Sequence, residues 1–229
     1  MPTERQRQEY LQALGIDAWI SRRKSGKSEL DFTEVAVTAD SSMPDWELLR
    51  AAVASCTGCL LHEHRTQTVF GVGNLNADWM IIGEAPGVEE DRRGEPFVGR
   101  AGKLLDEMLR AVGLDRSTAF ITNILKCRPP NNRDPAHDET VACRSYLEGQ
   151  IDLVKPRLIL AVGRIAAQAL LHSDSPVGRL RGRPHFLNDR QVSLVVTYHP
   201  AYLLRSPSQK RKVWEDLCLA RKVAQESLT

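Results

Sequence analysis

The sequence WMIIGEAPGVEEDRRGEPFVGRAG, residues 79–102, joins a short apolar run to a loop that holds five glycines. The apolar run suits a buried strand, and the glycines let the backbone after it turn tightly and approach a ligand. Glu84 follows the strand directly, and ligands of open α/β sheets bind beyond the carboxyl ends of strands. Phe97 is an aromatic ring in a polar loop, where a flat ligand would cover it. The stretch predicts a ligand site; the alternative is a solvated acidic loop with Phe97 as its hydrophobic anchor.

Further apolar runs and helical patterns alternate along the chain. The predicted strands after residues 79–82 are residues 119–124, 157–162 and 192–197, with a small additional strand at 185–187. The predicted helices are residues 46–54, 103–112, 136–153, 163–171 and 208–227. This alternation predicts an α/β protein, a three-layer α/β/α sandwich around a four-stranded, mainly parallel sheet. Because the carboxyl ends of parallel strands share one edge, Glu84, Asn123 and His199 are expected to line one crevice.

Length and charge limit the classes of function. A chain of 229 residues suits one domain with an appendage, and the formal net charge of +2 gives no global basic field, so a nucleic-acid partner must meet a local patch. We expect no membrane contact, because no apolar run approaches spanning length and the first ten residues carry no apolar signal segment. The expected location is the cytoplasm, and the expected oligomeric state is a monomer.

The first 45 residues differ from the rest of the chain. Residues 5–20 place apolar side chains at helical spacing, and residues 21–45 are polar and rich in serine. This composition predicts an amphipathic helix and a flexible linker in residues 1–45, ahead of a compact domain in residues 46–229. The helix either docks onto a protein partner or packs back on its own domain.

Five cysteines in a chain of this kind favour metal ligation or free thiols over disulfides. Cys56 and Cys59 form a C-x2-C pair, which lets two thiolates face one metal centre, and Cys127 and Cys143 follow downstream. Four thiolates suit either tetrahedral zinc or a [4Fe-4S] cluster, and the spacing does not choose between them. Cys218 lies among apolar residues of the last predicted helix and is expected in the core.

Several motifs in a fixed order carry a family resemblance. They are GEAPGVEEDRRGEPFVGRAGKLLDEML at 83–109, ITNILKCRPPNNRDP at 121–135, TYHPAYLLR at 197–205, and the four cysteines named above. Together, over about residues 46–225, they resemble the family 4 uracil-DNA glycosylases, the iron-sulfur branch of that superfamily. A related branch that bonds covalently to DNA carries the insertion KRRIH after the second motif. This chain reads KCRPPNNRDP there, which favours the hydrolytic branch.

The resemblance implies a DNA repair enzyme that flips uracil out of DNA and hydrolyses its N-glycosidic bond. It implies that Glu84 is the catalytic carboxylate and that His199 donates to uracil O2 as negative charge builds there. The implied base-binding residues are Gly83, Ala85, Glu90, Phe97, Asn123 and Asn132. Within this set Phe97 stacks on the base and Asn123 pairs with its O4 and N3 edge, whereas Glu90 excludes thymine.

The resemblance also implies a [4Fe-4S] cluster on Cys56, Cys59, Cys127 and Cys143, with a structural role, since hydrolysis needs no electron. DNA contact is expected from residues 205–212, through Arg205, Ser206, Lys210 and Arg211, and from the arginines at 179, 181 and 183. Two other classes stay open. One is a non-catalytic uracil-DNA or single-strand binding module, against which the presence of both Glu84 and His199 argues. The other is a zinc-stabilised α/β enzyme acting on free nucleosides or nucleotides, which leaves the basic segments unexplained.

Overall fold

The computed structural model describes residues 45–187 and 192–226. The helix and linker predicted for the N-terminal segment therefore lie outside the described residues, and the proposed domain boundary stays a prediction. The strands are β1 Val72–Gly73, β2 Trp79–Gly83, β3 Phe120–Asn123, β4 Leu158–Val162, β5 Pro184–Leu187 and β6 Val192–Thr197. They form one sheet in the order β1-β3-β2-β4-β6-β5.

The sheet has six strands, so the predicted number of four was wrong. The four predicted strands form its centre and run parallel, whereas β1 and β5 pair antiparallel at the two edges. Strand β5 covers the small strand expected at 185–187. Strand β1 was missed because two residues are too few to show a period. In β1, Gly73 has a φ of 120°, and a Cβ there would collide with the carbonyl of Ala119.

The α-helices of the described residues are α1 Asp45–Ala54, α2 Val88–Arg93, α3 Arg100–Arg110, α4 His137–Val154, α5 Arg164–Leu171, α6 Val177–Leu180, α7 Pro200–Arg205 and α8 Lys210–Glu226. Short 3-10 turns occur at Leu60–Glu63, Pro130–Asn132 and Pro207–Gln209. Helix α2 lies inside the glycine-rich stretch and has no apolar face that would have predicted it. It ends at Gly94, which takes the left-handed conformation common at helix ends. None of these helices combines the length and the apolar content needed to cross a bilayer.

Alternate residues of the central strands enter two separate cores. Met80 and Ile82 of β2 pack in one core with residues of α4 and α5, and Trp79 and Ile81 pack in the other with residues of α3 and α8. A strand that is buried on both faces is typical of a sheet covered by helices on both sides. The described residues therefore form a mixed α/β fold with helices packed on both faces of the sheet. Cys218 of α8 is only half-buried rather than fully in the core.

The register of the sheet sets the carboxyl ends of the central strands side by side. Gly83 at the end of β2 pairs with Asn123 at the end of β3, and Val162 of β4 pairs with Thr197 of β6. The alignment continues past the strands, since the amide of Leu125 donates to the carbonyl of Glu84. The loops that follow β2, β3 and β6 consequently leave the sheet at one edge.

Candidate functional site

The carboxyl edge of the sheet brings together Gly83, Glu84, Phe97, Asn123 and His199, which we call the strand-end cluster. Gly83 is central to it, because a Cβ at this position would collide with both the Asn123 side-chain oxygen and the Phe97 ring. The absence of a side chain at Gly83 thus lets an amide and an aromatic ring approach each other over the end of β2.

Asn123 carries the clearest sign of an unfilled interaction. Its side chain is 2% exposed, and its Oδ1 has no hydrogen-bond partner within the described residues. Leaving a buried polar atom unpaired costs about 1–3 kcal/mol. Such an atom at the carboxyl end of a strand is therefore a candidate for pairing with a ligand.

Phe97 is held in place by its backbone as well as by its ring. Its φ is 55°, in the left-handed region that a non-glycine residue rarely occupies, and the side chain is 6% exposed. The Arg116 guanidinium donates to the Phe97 carbonyl, and a Cβ on Gly102 would collide with that same carbonyl. This strained backbone presents the ring to Gly83 and Asn123 and is the kind of feature found at ligand sites.

Glu90 supports the Phe97 loop. Its Oε1 accepts the backbone amides of Val98 at 2.9 Å and Gly99 at 3.0 Å. Gly99 precedes α3, so the carboxylate also lies at the positive end of that helix. Glu90 therefore holds the turn that follows Phe97.

His199 stacks against Phe97, with 5.6 Å between ring centroids and 29° between planes. Its Nδ1 accepts the backbone amide of Ala201 at 3.1 Å, at the start of α7. Burial, followed by the charge of Arg205, lowers the pKa of His199 to about 4. At neutral pH the imidazole is thus uncharged, and with Nδ1 accepting, Nε2 carries the proton and is free to donate.

Glu84 is half-buried at the end of β2. Burial, with a smaller effect from the charge of Asp134, raises the pKa of its carboxyl, and the charge of Arg164 opposes that rise. Asp134 Oδ2 and Arg164 Nη2 form an ion pair at 2.5 Å. Sequence reasoning missed this pair. Its signal was positional, since Arg164 begins the helix after β4 and Asp134 lies in the proline-rich loop after β3.

Two predicted residues lie away from the strand-end cluster. Ala85 is partly buried and packs on Leu61, Leu125 and the buried cysteines. Asn132 is exposed, and its Oδ1 accepts Arg128 Nε at 2.7 Å, a bond within its own loop.

A second site, the thiol pocket, contains all four predicted cysteines. It is a pocket lined by Val53, Cys56, Gly58, Cys59, Leu61, His62, Arg65, Leu125, Lys126, Cys127, Ala142, Cys143 and Tyr146. The structure thus brings two cysteines of the C-x2-C pair to one that precedes the proline-rich loop and one on α4. Within the described ranges, no three side chains converge tightly enough to ligate one single ion.

The sulfurs of the thiol pocket face hydrogen-bond donors. Arg65 Nη1 lies 3.1 Å from Cys127 Sγ, and the amide of Lys126 lies 3.3 Å from Cys143 Sγ. Burial raises the pKa of Cys143 to about 11. A thiol in such surroundings becomes a thiolate only when a positive centre compensates the charge, as a metal or cluster does. Four sulfurs around one pocket, with donors directed at them, are a donor set that fits a [4Fe-4S] cluster.

Four of the predicted DNA-contacting residues lie at the end of α7 and the beginning of α8. Arg205 ends α7, and Lys210 and Arg211 begin α8, with Ser206 between them; we call these four residues the basic strip. Its three cationic side chains are exposed, and Arg211 approaches Glu215 only at 3.4 Å. The effect of Arg205 on the pKa of His199 shows that the strip begins within electrostatic reach of the cluster.

Arg181 does not share the exposure of Arg179 and Arg183. Its guanidinium pairs with the buried carboxylate of Asp216, with Nε 3.0 Å from Oδ2, and Asp216 also accepts the Thr197 hydroxyl. Arg181 therefore neutralises a buried carboxylate near the end of β6, whereas Arg179 and Arg183 lie on the exposed surface.

Comparison with known proteins gives consistent results. The model of the uracil DNA glycosylase superfamily matches residues 70–218. The type-4 uracil-DNA glycosylase of Sulfurisphaera tokodaii is 41% identical over 189 residues, which cover 80% of this chain and 86% of the relative. That of Thermotoga maritima is 43% identical over 75% of this chain and 90% of the relative. A type-5 uracil-DNA glycosylase of Pyrobaculum aerophilum is 30% identical over 57% of this chain.

Proposed function

The chain belongs to the type-4 uracil-DNA glycosylases of the uracil-DNA glycosylase superfamily, and from that membership we propose that its strand-end cluster reads and releases uracil. The reaction is hydrolysis of the N-glycosidic bond in DNA, which leaves an abasic site for repair. The target base must leave the duplex and enter the cluster, because its glycosidic bond is out of reach inside the stack.

The single observation that carries this proposal is the unpaired, buried Oδ1 of Asn123. Uracil presents an N–H at position 3 and a carbonyl at position 4, so an asparagine amide accepts from the first and donates to the second. Cytosine presents the opposite pattern at both positions. Each mismatched buried pair costs about 1–3 kcal/mol, which supports discrimination against cytosine.

Phe97 supplies the stacking surface in this proposal. A base inserted between Phe97 and His199 would need about 7 Å between the rings, twice a usual contact distance, and their centroids are 5.6 Å apart. The base therefore lies on the part of the Phe97 ring that the imidazole leaves open. The edge of His199 then faces the base from the side, which suits a donor to uracil O2.

In the chemical step the bond between the sugar C1′ and uracil N1 breaks, and both electrons leave with the base. Positive charge develops on the sugar, as in other glycosyl transfers. The Glu84 carboxylate stabilises that charge and takes a proton from the attacking water, whose oxygen bonds to C1′. Neutral His199 donates from Nε2 to O2 as negative charge builds there. The raised pKa of Glu84 supports its role as a base.

The remaining base-binding assignments are part of the same proposal. The backbone amides at Gly83 and Ala85 hold the base, Glu90 limits the space at its 5-edge, and Asn132 contributes from the loop after β3. The tie between Glu90 and the Phe97 loop supports a role in shaping that edge.

We propose that Cys56, Cys59, Cys127 and Cys143 hold a [4Fe-4S] cluster. When bound, the cluster supplies structural cross-linking and a positive centre for the thiolates, and no step of the hydrolysis passes through it. The thiol pocket borders Ala85 and the loop after β3, which supports a role in fixing the segments that carry the strand-end cluster.

DNA contact is assigned to the basic strip, where exposed cations and a hydroxyl suit phosphates. The enzyme acts as a monomer on nucleoid DNA in the cytoplasm, a reducing compartment that suits free thiols. A protein partner for the N-terminal segment remains part of the prediction made from the sequence.

The test is incubation with an oligonucleotide that contains one uracil, followed by alkali. Strand cleavage at the uracil is expected, and no cleavage there would overturn the proposal. A matched oligonucleotide with cytosine at the same position is the control and stays intact. The same preparation is expected to be brown, with absorbance near roughly 400 nm from a thiolate-bound cluster. A colourless anaerobic preparation that contains one zinc per chain would contradict the cluster assignment alone.

A further inference from the structure

Lys126 is a fully buried lysine that the mechanism above does not use. It is 1% exposed, and the hydrogen bonds of its ammonium group within the described residues go to uncharged oxygens. Burial of an ammonium group away from water is costly unless the group is fully hydrogen-bonded. An aliphatic side chain would fill the space without that cost. The buried ammonium group therefore indicates a role beyond packing.

All three donors of the Lys126 ammonium group bond uncharged oxygens at the end of β3 and on α4. Nζ lies 2.7 Å from the backbone carbonyl of Asn123, 2.7 Å from Thr122 Oγ1 and 2.6 Å from Gln150 Oε1. The side chain therefore folds back along β3 and holds the backbone of the residue whose side-chain oxygen is unpaired.

The partners of Lys126 are themselves fixed. Thr122 Oγ1 lies 2.9 Å from the Phe70 carbonyl, and Gln150 Nε2 donates to the same carbonyl at 2.8 Å. The network thus fastens the end of β3 to α4 and to the segment before β1. Packing and hydrogen bonds fix the position of each side chain in this network. A shift of the Lys126 ammonium group would therefore move the Asn123 backbone.

The backbone of Lys126 belongs to the thiol pocket. Its amide donates to Cys143 Sγ, and the next residue is Cys127. Only residues 124 and 125 separate it from Asn123, and their amides are bound to the carbonyls of Gly83 and Glu84. Lys126 therefore contacts both sites. Its main chain bonds a sulfur of the thiol pocket, and its side chain bonds the backbone of Asn123, the proposed base-reading residue.

We propose that Lys126 is a positioning residue that holds the Asn123 amide in the orientation that reads the base, and that it acts on the reaction through Asn123. This inference rests on the proposed function. The interaction is charge-assisted, and hydrogen bonds to charged groups are stronger than neutral ones. A neutral side chain of equal length leaves the Asn123 carbonyl without this donor.

The test is a double-mutant cycle on the full chain, measured as the single-turnover rate of uracil release with enzyme in excess. Lys126→Met is expected to lower the rate about 10- to 100-fold, the loss typical of a hydrogen bond to a charged group. Asn123→Ala lowers it by a similar factor. In the Asn123→Ala background, Lys126→Met is expected to change the rate less than about 2-fold, since its route of action is already gone.

A purely structural role for Lys126 would give a different result, because the two losses would multiply. That outcome overturns the inference and leaves the proposed function intact, whereas wild-type enzyme that releases no uracil overturns the proposed function. Thr122→Val is the matched control: it disturbs the same buried network but leaves the contact from Nζ to the Asn123 carbonyl, so thermal stability falls while the rate changes less than about 3-fold.

Folding of each variant is checked by its thermal transition and by absorbance near 400 nm. If Lys126→Met does not fold, Lys126→Gln replaces it in the cycle. This change removes the ammonium group that bonds the Asn123 carbonyl but keeps a polar side chain in the buried network. A rate loss that disappears in the Asn123→Ala background supports the inference, and a loss that persists there contradicts it.

Discussion

The strand-end cluster and the basic strip lie close together yet are built in opposite ways. Asn123 and Phe97 are almost fully buried and held by backbone contacts, whereas Lys210 and Arg211 are exposed and make few contacts. Rigid, buried groups discriminate between ligands because a wrong partner leaves them unpaired. Exposed cations attract any phosphate backbone, and salt screens them. The difference separates recognition of the base from affinity for DNA.

Among the substitutions that test this separation, Glu84→Gln is expected to have the largest effect on the rate. The amide keeps the size of the carboxylate but neither accepts a proton from water nor carries the charge that stabilises the sugar. The single-turnover rate should fall on the order of 10²- to 10⁴-fold, the usual contribution of general acid–base groups. Affinity for uracil-containing DNA, measured by fluorescence anisotropy, should stay within about 2-fold. A parallel loss of affinity would contradict the separation.

A smaller effect is expected from Asn123→Ala, which removes the amide that reads the base. The rate of uracil release should fall about 10- to 100-fold, because about 1–3 kcal/mol of pairing is lost. Binding to undamaged DNA should not change, since the basic strip is intact. Fluorescence anisotropy with an undamaged oligonucleotide provides that control. Weaker binding of the variant there would show that Asn123 also contributes to the affinity for DNA.

The dependence of kcat/KM on pH tests the charge states inside the cluster. Burial raises the pKa of Glu84 above its ordinary value of 4.5, and His199 stays neutral down to about pH 4. Glu84 must be ionised to act as a base, so the rate should fall as pH drops through its raised pKa, about tenfold per pH unit below it. The expected acid limb therefore belongs to Glu84.

Two neighbouring charges should move that acid limb in opposite directions. Asp134→Asn removes a negative charge and should shift the limb to lower pH, whereas Arg164→Gln removes a positive charge and should shift it to higher pH. Glu84→Gln should abolish the limb and His199→Asn should keep it. A limb that follows His199 instead would reverse the assignment of the two groups.

The smallest effects are expected in the basic strip. Lys210→Ala and Arg211→Ala should each weaken DNA binding a few-fold and reduce the slope of log affinity against log salt by about 1. The single-turnover rate at saturating enzyme should not change. The contrasting variant is Arg181→Ala, which removes the cation that pairs with the buried Asp216 carboxylate and leaves only its neutral partners. It should lower the free energy of unfolding by about 3 kcal/mol without changing the salt slope.

The periodicity of the sequence predicted the central strands and the major helices within a few residues, because their apolar runs are long enough to show a period. It failed at β1 and α2 for opposite reasons. Two residues carry no period, and the acidic and basic residues of α2 give it no apolar face. The candidate residues at the strand ends could be proposed because the topology of a parallel sheet dictates where its carboxyl ends meet.

The contacts among those residues could not be predicted in this way. The sequence offered Arg181 as a partner for DNA, and the structure pairs it with Asp216 across 35 positions of the chain. The sequence supports no functional prediction for Asp134, Arg164 or Lys126, because a charged side chain is usually solvated. Their importance depends on what lies beside them after folding.

By itself, the sequence determined the layered α/β architecture, the glycine-rich loop after β2, the four cysteines and the family to which the chain belongs. These properties are local, since they depend on residue type, spacing and order. Only the tertiary structure decided that Asn123 keeps an unpaired oxygen, that His199 is neutral and that a buried lysine supports the proposed base-reading amide. Burial and hydrogen bonding join residues from distant segments, and the energy of a polar group depends on those neighbours rather than on its place in the chain.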